Sequence, residues 1–225
     1  MVNILALSCI HNDVESIINY ADKLVKLKFD VILSPGDFLD SPMKKIGSID
    51  LGKLIIAGLR AFDKPLLVVP GCWDKDLIKF FEDEKISIHG KGVIIDGVGF
   101  YGFGGAKTPF NLPYEPSEEE IEKGLMNAYK SVESVKLKVQ LTHAPPLNSK
   151  LDIISSGAHV GSASVRKFIE KVQPDVAVCA HIHEARGTDE IGRTKIINSG
   201  RFPEGYCGLI SVTDEKVEVK LINLT

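Results

Sequence analysis

Short apolar runs alternate with segments of helical periodicity over the first 85 residues. The runs are typical of buried strands, and two of them stop at a Pro-Gly pair. The predicted strands are 2–7, 29–33 and 66–69. The segments expected to be helical, each placing apolar residues on one face, are 14–25, 49–62 and 74–82. This β-α-β-α-β order predicts an α/β fold with parallel strands joined by right-handed crossovers.

Beyond residue 86 the pattern changes to shorter strands with glycine turns, two helices and two proline-containing loops. The predicted helices are 118–132 and 161–171, and the loops are 106–117 and 144–160. The predicted strands are 93–95, 98–103, 137–141, 176–179, 195–197, 208–212 and 217–222, of which the last three are expected to be antiparallel finishing strands. No linker, repeat or low-complexity stretch divides the chain, so a single domain over 1–225 is predicted.

Composition narrows the function classes without selecting one. Hydrophobic residues make up 44% and charged residues 25% of the chain, as in ordinary globular proteins. The formal net charge of −3 gives no basic footprint, so nucleic acid is not indicated by charge. No apolar run reaches membrane-spanning length, and the four cysteines follow no CxxC spacing. The strand pattern begins at residue 2 with no basic or long apolar stretch before it, so no targeting segment is expected. A reducing, cytoplasmic location is therefore expected.

Polar residues that bind metals follow five of the predicted strands. They are Cys9 and His11, then Asp37, then Cys72, then His143, and finally His181 and His183. Because the carboxyl ends of parallel strands meet at one edge of a sheet, these groups are expected to converge. A lone histidine after a strand is often a capping residue, and Gly-Asp is often a turn. Four of the six histidines lie at strand ends, however, and this joint pattern predicts a site for Zn²⁺, Fe²⁺ or Mn²⁺.

The order of these motifs resembles the calcineurin-like metallophosphoesterases. That family carries D-x-H, G-D-x-x-D, G-N-H-D/E, a single histidine after a strand, and G-H-x-H. Here Gly36-Asp37-Phe38-Leu39-Asp40 and His181-Ile182-His183 are intact, and His181 to Gly187 with Asn198-Ser199-Gly200 is similar to the small prokaryotic branch. The resemblance runs from about residue 4 to 200. It implies a four-layer α/β/β/α sandwich of two mixed β-sheets flanked by helices.

The resemblance also implies two divalent metal ions, expected to be Zn, Fe or Mn, with Ni as a substitute in vitro. One ion would be held by His11, Asp37 and His183, with Cys9 where the family has aspartate. The second would share Asp37 and add His143, His181 and Cys72, the last where the family has asparagine. Asp37 and His143 are the expected catalytic residues, serving attack of a metal-bridging hydroxide on phosphorus.

Departures from the family motifs leave alternatives open. Cys9 and Cys72 are either thiolate ligands or small apolar residues filling decayed positions. Trp73 replaces the histidine that the family uses near the leaving group, and Ala180 replaces a glycine. Trp73 and His159 are candidate substrate-binding residues, although Trp73 is also explained by packing.

Four residues outside these motifs have simpler interpretations. His89 is interpreted as a surface turn residue, and Cys179 and Cys207 as core residues. Phe110, in the proline-rich loop, either closes over a ligand or anchors the loop.

Three hypotheses follow from the sequence. The first is a metal-dependent phosphoesterase, or hydrolase, that acts on a small phosphorylated substrate such as a phosphodiester or a nucleotide-like phosphate. The second is a catalytically weakened metal-binding or protein-binding module on the same fold. The third is a redox or zinc-storage protein using its cysteines. The sequence leaves open whether the chain forms a homo-oligomer.

Overall fold

A computed structural model describes residues 1–41 and 46–225. The helices are α1 (Val14–Val25), α2 (Ser48–Arg60), α3 (Ile78–Asp83), α4 (Glu118–Lys130) and α5 (Ala163–Val172). The strands are β1 (Val2–Ala6), β2 (Val31–Ser34), β3 (Leu66–Val68), β4 (Lys91–Ile95), β5 (Val98–Phe103), β6 (Leu137–Thr142), β7 (Val176–Cys179), β8 (Gly187–Ile191), β9 (Thr194–Asn198), β10 (Tyr206–Val212) and β11 (Val217–Asn223).

These strands form two mixed sheets. The first sheet has the order β11-β10-β1-β2-β3, in which β1, β2 and β3 are parallel and β10 and β11 are antiparallel. The second has the order β4-β5-β6-β7-β9-β8, in which β5, β6, β7 and β9 are parallel. Each sheet therefore contains a group of adjacent parallel strands, and the carboxyl ends of those strands lie along one edge of the sheet.

Apolar side chains fill three layers of core. Between the sheets, alternate residues of β1, β2 and β10 pack against those of β5, β6 and β7, with Ile4, Phe100 and Val178 fully buried. Helices α1, α2 and α3 cover the outer face of the first sheet, and α4 and α5 cover that of the second. The arrangement confirms the four-layer α/β/β/α sandwich. It follows from period-two patterning on the strands and one apolar stripe on each helix.

Local capping fixes where three of the helices begin. Asp13 accepts the amide of Ser16 at the start of α1, and Ser117 forms a reciprocal capping box with Glu120 at the start of α4. Ser162 accepts the amide of Val165, so α5 starts at residue 163 instead of 161. Each cap satisfies backbone amides that the first helical turn leaves without partners.

Some predicted elements were wrong in detail. The strand at 195–197 is parallel to β7 and is not part of an antiparallel finishing set. Between β7 and β9 the chain runs back through β8, which pairs with β9 at the edge of the second sheet. The segment 74–82 divides into a 3₁₀ turn at Lys75–Leu77 and the short helix α3. Cys179 and Cys207 are buried in the core, as predicted. Over the described residues, no helix is both long and apolar enough to cross a membrane.

Candidate metal centre

The loops after β1, β2 and β7 turn sharply to present their polar side chains. Cys9, His11, Asp37 and His181 all have left-handed backbone conformations, with φ of 53°, 50°, 56° and 72°. Residues with side chains adopt this region rarely, at a cost of order 1–3 kcal/mol each. Four such residues in facing loops indicate that the surrounding fold imposes the local geometry.

Two glycines allow the loops after β2 and β3 to touch backbone to backbone. A Cβ on Gly36 would lie 2.2 Å from the amide nitrogen of Gly71, and Gly36 itself has φ of +100°. A Cβ on Gly71 would lie 2.1 Å from both the amide nitrogen and Oδ1 of Asp37. Only glycine fits either position, so the two loops hold Asp37 in a fixed place.

The buried carboxylate of Asp74 ties the same two loops together. Its Oδ1 accepts the amide of Leu39 at 2.9 Å, and its Oδ2 accepts the amides of Gly71 at 2.7 Å and Phe38 at 3.3 Å. Burial, followed by repulsion from Asp37, raises the pKa of Asp74 to about 6. The sequence assigned this residue no role, although its place at the end of the third motif was the available signal.

Hydrogen bonds also join the strand ends of the two sheets. Ser8, at the end of β1, shares a 2.7 Å hydrogen bond with the hydroxyl of Ser199 and donates to the carbonyl of Gly200 at 2.7 Å. Asn198 donates its side-chain amide to the carbonyl of Ile182 at 2.8 Å, which supports the segment between the two histidines of the last motif. The Asn-Ser-Gly stretch therefore positions loops from both sheets.

The first candidate ligand group consists of Cys9, His11 and His183. Their ligating atoms all lie within 4.8 Å of one another. The Nε2 atoms of His11 and His183 are 3.1 Å apart, and the buried Nδ1 of His11 has no hydrogen-bond partner among the residues that the structure describes. The Nε2 atoms of His11 and His183 face each other, and their separation is the one expected of two ligands of one ion.

The second candidate group consists of Cys72, His143 and His181, again with ligating atoms within 4.8 Å of one another. His143 Nε2 is 3.2 Å from His181 Nδ1, which in turn is 3.9 Å from Cys72 Sγ. His143 donates its Nδ1 hydrogen to the carbonyl of Pro35 at 2.8 Å. In the neutral ring this bond leaves Nε2 with its lone pair directed at the group, which is the orientation a metal ligand needs.

Asp37 lies between the two groups. Its Oδ2 is 3.3 Å from His143 Nε2 and 4.0 Å from His11 Nε2, while its Oδ1 accepts the backbone amide of Trp73 at 3.1 Å. Burial opposes ionisation of this carboxyl, but the surrounding histidines, first among them His143, outweigh burial and lower its pKa well below the usual range. The carboxylate is therefore charged and faces both groups.

These residues fit divalent metal ions. Two nitrogens bound to the same ion at ~2.1 Å lie about 3.0–3.4 Å apart, and the two histidine pairs are separated by 3.1 and 3.2 Å. Imidazole, thiol and carboxylate donors together suit borderline metals such as Zn²⁺, Fe²⁺ or Mn²⁺. Burial raises the pKa of both thiols, to about 12 for Cys9, so each would have to lose its proton in order to ligate.

The centre opens into a cavity of about 440 Å³. Trp73 lines it from a half-buried position, with part of its ring packed on the core of the first sheet. His159 is not among the lining residues; its Nδ1 is 2.7 Å from Asp152 Oδ1, so its contact with substrate stays a prediction. Tyr114 donates its amide to the carbonyl of Cys72 and so anchors its loop, while Phe110 is exposed at the cavity mouth.

His89 was wrongly interpreted as a surface turn residue. Its ring packs against Phe103, its Nδ1 accepts the amide of Gly104 at 3.0 Å, and its Nε2 lies 3.0 Å from the hydroxyl of Tyr114. Burial lowers its pKa to about 4. The short Ile-Ser-Ile-His-Gly stretch did not indicate this packing, because the contacts come from β5 and from the loop after it.

Part of the metal centre lies in a segment that matches a known protein family. The family model of the calcineurin superfamily of metallophosphoesterases matches residues 57–222, which include Cys72, His143, His181 and His183. The chain belongs to this superfamily. Members of the superfamily are phosphoesterase hydrolases that bind divalent metals, and the histidine and cysteine groups described above are the candidate ligands in this chain. Cys9, His11 and Asp37 lie outside the matched segment, and their assignment rests on geometry and motif.

Relatives of this chain are similar to it in sequence or in fold. An uncharacterised protein of Methanocaldococcus jannaschii is 41% identical over 147 residues, which cover 63% of this chain and 65% of that protein. One solved structure superposes with a TM-score of 0.81 at 19% identity, over 99% of both chains. The crystal structure of a Thermus thermophilus protein superposes with a TM-score of 0.71 at 20% identity, over 100% of this chain and 99% of that one.

Proposed function

We propose that this chain is a two-metal phosphoesterase that hydrolyses a phosphodiester or a nucleotide-like phosphate. The observation that carries the proposal is the pair of ligand groups, Cys9, His11, His183 and Cys72, His143, His181, with the carboxylate of Asp37 between them. Storage of a single ion does not require two groups that share one carboxylate. Two ions in this arrangement would neutralise charge on a phosphoryl group and lower the pKa of water.

The chain's own residues would hold this centre rigid during catalysis. The amide of Trp73 fixes one oxygen of Asp37 and leaves Oδ2 directed at the two groups. The carbonyl of Pro35 fixes the ring of His143. Because these supports are backbone atoms in loops held by Gly71 and Asp74, little reorganisation would accompany phosphate binding.

Leaving-group protonation is the weak step expected of this site. Trp73 takes the place of the family histidine; its backbone amide donates to Asp37 and part of its ring packs on the core of the first sheet, while its indole N–H can donate a hydrogen bond but does not release a proton. Loss of a general acid costs about 10²–10⁴ in rate. We therefore infer that the enzyme prefers esters whose alcohol leaves without protonation. The same substitution favours the second candidate function, a metal-binding module with weakened catalysis.

Hydrolysis of bis(p-nitrophenyl) phosphate with added Mn²⁺ or Ni²⁺ tests the proposal. Asp37→Asn should lose metal and activity together, because both groups lose their shared charge. Asp50→Asn, which neutralises an exposed carboxylate on α2, is the matched control and should behave as wild type. Protein that holds its full metal content but has no phosphodiesterase activity would contradict the proposal and favour the metal-binding module. Full metal content in Asp37→Asn would contradict the shared carboxylate.

A further inference from the structure

Two unlike sets of side chains line the cavity beside the metal centre. One set, which we call the floor, contains the candidate ligands His11, Asp37, His181 and His183, and polar side chains such as Lys107 and Glu184 also line the cavity. The other set is apolar; we call it the apolar rim and define it as Phe110, Leu112, Ile154 and Val160. We propose that the apolar rim binds an aromatic group carried by the phosphoester substrate, an inference that rests on the proposed function and specifies its substrate class.

The exposure of the rim is the first argument. The side chain of Phe110 is 75% exposed and that of Val160 is 40% exposed, although each lies beside a cavity where it could contact a ligand. Large apolar groups gathered around a concave site mark ligand recognition more often than chance exposure. An aromatic ring entering between them would remove apolar surface from water on both sides.

The loop that carries Phe110 has its polar groups occupied internally. Glu115 accepts the amide of Leu112 at 2.8 Å, the hydroxyl of Thr108, and the ammonium of Lys107 at 3.1 Å. The hydroxyl oxygen of Thr108 also accepts the amide of Phe110 at 3.0 Å. These bonds fix the backbone of the loop on both sides of Phe110, whose exposed ring offers an aromatic group an apolar surface on which to stack.

The opposite side of the rim is fixed directly to the metal centre. Residues 152–160 form a small hairpin, in which the amide of Val160 donates to the carbonyl of Asp152 at 3.0 Å. The amide of Ser155 donates to Oε1 of Glu184 at 2.7 Å, and Glu184 follows the candidate ligand His183. The rim and the floor are thus parts of one site. One substrate molecule could place its organic group on the rim and its phosphate on the floor.

The size of the site selects a small molecule over a macromolecule. A cavity of about 440 Å³ lies within the ~300–1,000 Å³ typical of small-ligand sites. A stable interface with a second copy would need roughly 800 Å² from each partner, which four rim residues do not provide.

Two phosphonates that differ only in their organic group test the rim without any turnover. Phenylphosphonate and methylphosphonate, titrated calorimetrically into the Mn²⁺-loaded protein, carry P–C bonds that ester hydrolysis does not cleave. We expect phenylphosphonate to bind about tenfold more tightly, because one stacked aromatic pair plus its burial is worth roughly that factor. Phe110→Ala and Val160→Asp should each reduce this preference to about threefold or less, and Phe110→Leu should retain part of it.

Leu54→Ala provides the matched control, since it shortens an exposed apolar side chain on α2 and should leave the preference unchanged. Equal affinity for the two phosphonates, or a preference that survives both rim variants, would overturn the inference while phosphodiester hydrolysis could still stand. A phenyl preference without hydrolysis would instead refute the proposed function alone. Wild-type dimers that Phe110→Ala converts to monomers would assign the rim to a second copy and also overturn the inference.

Discussion

Replacing Gly71 with alanine should weaken metal binding although Gly71 has no side chain that could hold a metal ion. The added Cβ would lie 2.1 Å from the amide nitrogen and from Oδ1 of Asp37, whereas ordinary contacts are 3.4–4 Å. Because one of the clashing atoms belongs to the backbone, a side-chain rotation cannot relieve the clash. The loops after β2 and β3 must separate by about 1 Å, and this takes Asp37 out of line with both ligand groups and strains the hydrogen bond from Gly71 to Asp74.

The magnitude follows from these displacements. Overpacking of this kind costs about 1–3 kcal/mol, and for a chain of this size each kcal/mol lowers Tm by about 2–4 °C. A displacement of ~1 Å in a catalytic group costs about 10²-fold in rate. We therefore expect Tm to fall by roughly 2–12 °C, metal content to fall below one ion per chain, and phosphodiesterase activity to fall at least about 10²-fold.

Metal analysis by mass spectrometry, calorimetric melting and bis(p-nitrophenyl) phosphate hydrolysis measure the three effects. Gly47→Ala is the control because, among the residues that the structure describes, the atom nearest to its new Cβ is an Asp50 oxygen at 4.0 Å. If Gly71→Ala kept wild-type metal content and more than a tenth of the activity, the close contact between the loops would not be what positions Asp37.

Three further predictions concern the protonation state and the ligands of the site. Neutral His89 accepts a backbone amide through Nδ1, and burial lowers its pKa from about 6.5 in the unfolded chain to about 4. Because the unfolded chain gains the proton first as the pH falls, the contribution of His89 to stability is complete above pH 6.5 and is lost toward pH 4. Wild type should lose about 2 kcal/mol more than His89→Gln between pH 7 and pH 5 in urea melts, and equal losses would contradict this account. Trp73→His should speed cleavage of alkyl phosphodiesters more than that of p-nitrophenyl diesters, and an equal change for both would show that the proton comes from elsewhere. Cys9→Asp combined with Cys72→Asn should shift metal preference from Zn²⁺ toward Mn²⁺, measured by competition titration, and an unchanged preference would mean that neither thiol ligates.

Sequence pattern predicted the framework well because each strong signal was local. The strands near residues 4, 32 and 67 are short apolar runs, and the polar residues that follow them, such as Asp37, occupy strand ends in the structure as expected. β8 was missed because Gly187–Ile191 contains mostly polar residues, as an edge strand does when one face meets solvent. The parallel direction of β9 depends on its pairing with β7, a contact between distant segments that periodicity does not encode.

The candidate site divides in the same way. The motifs indicated the candidate donors, and the structure brings all seven of them together, with Asp37 between the two groups; their role as ligands stays a prediction. Features that depend on three-dimensional contact were not readable, such as the pairing of His159 with Asp152 and the packing of His89 against Phe103. The position of Phe110 at the cavity mouth likewise depends on internal hydrogen bonds of its loop.

Each candidate ligand group draws residues from both sheets, and this has a consequence for the order of folding. His11 and His183 are 172 residues apart in the chain, yet their ring nitrogens are 3.1 Å apart. Closing so long a loop before the sheets dock would be entropically costly, so metal capture should follow docking. During synthesis, a ribosome-bound chain that ends before His181 holds only part of each group and should bind ions weakly. Tight metal binding would then occur only in chains whose two sheets have already packed together, so that a bound ion would distinguish folded chains from incompletely folded ones.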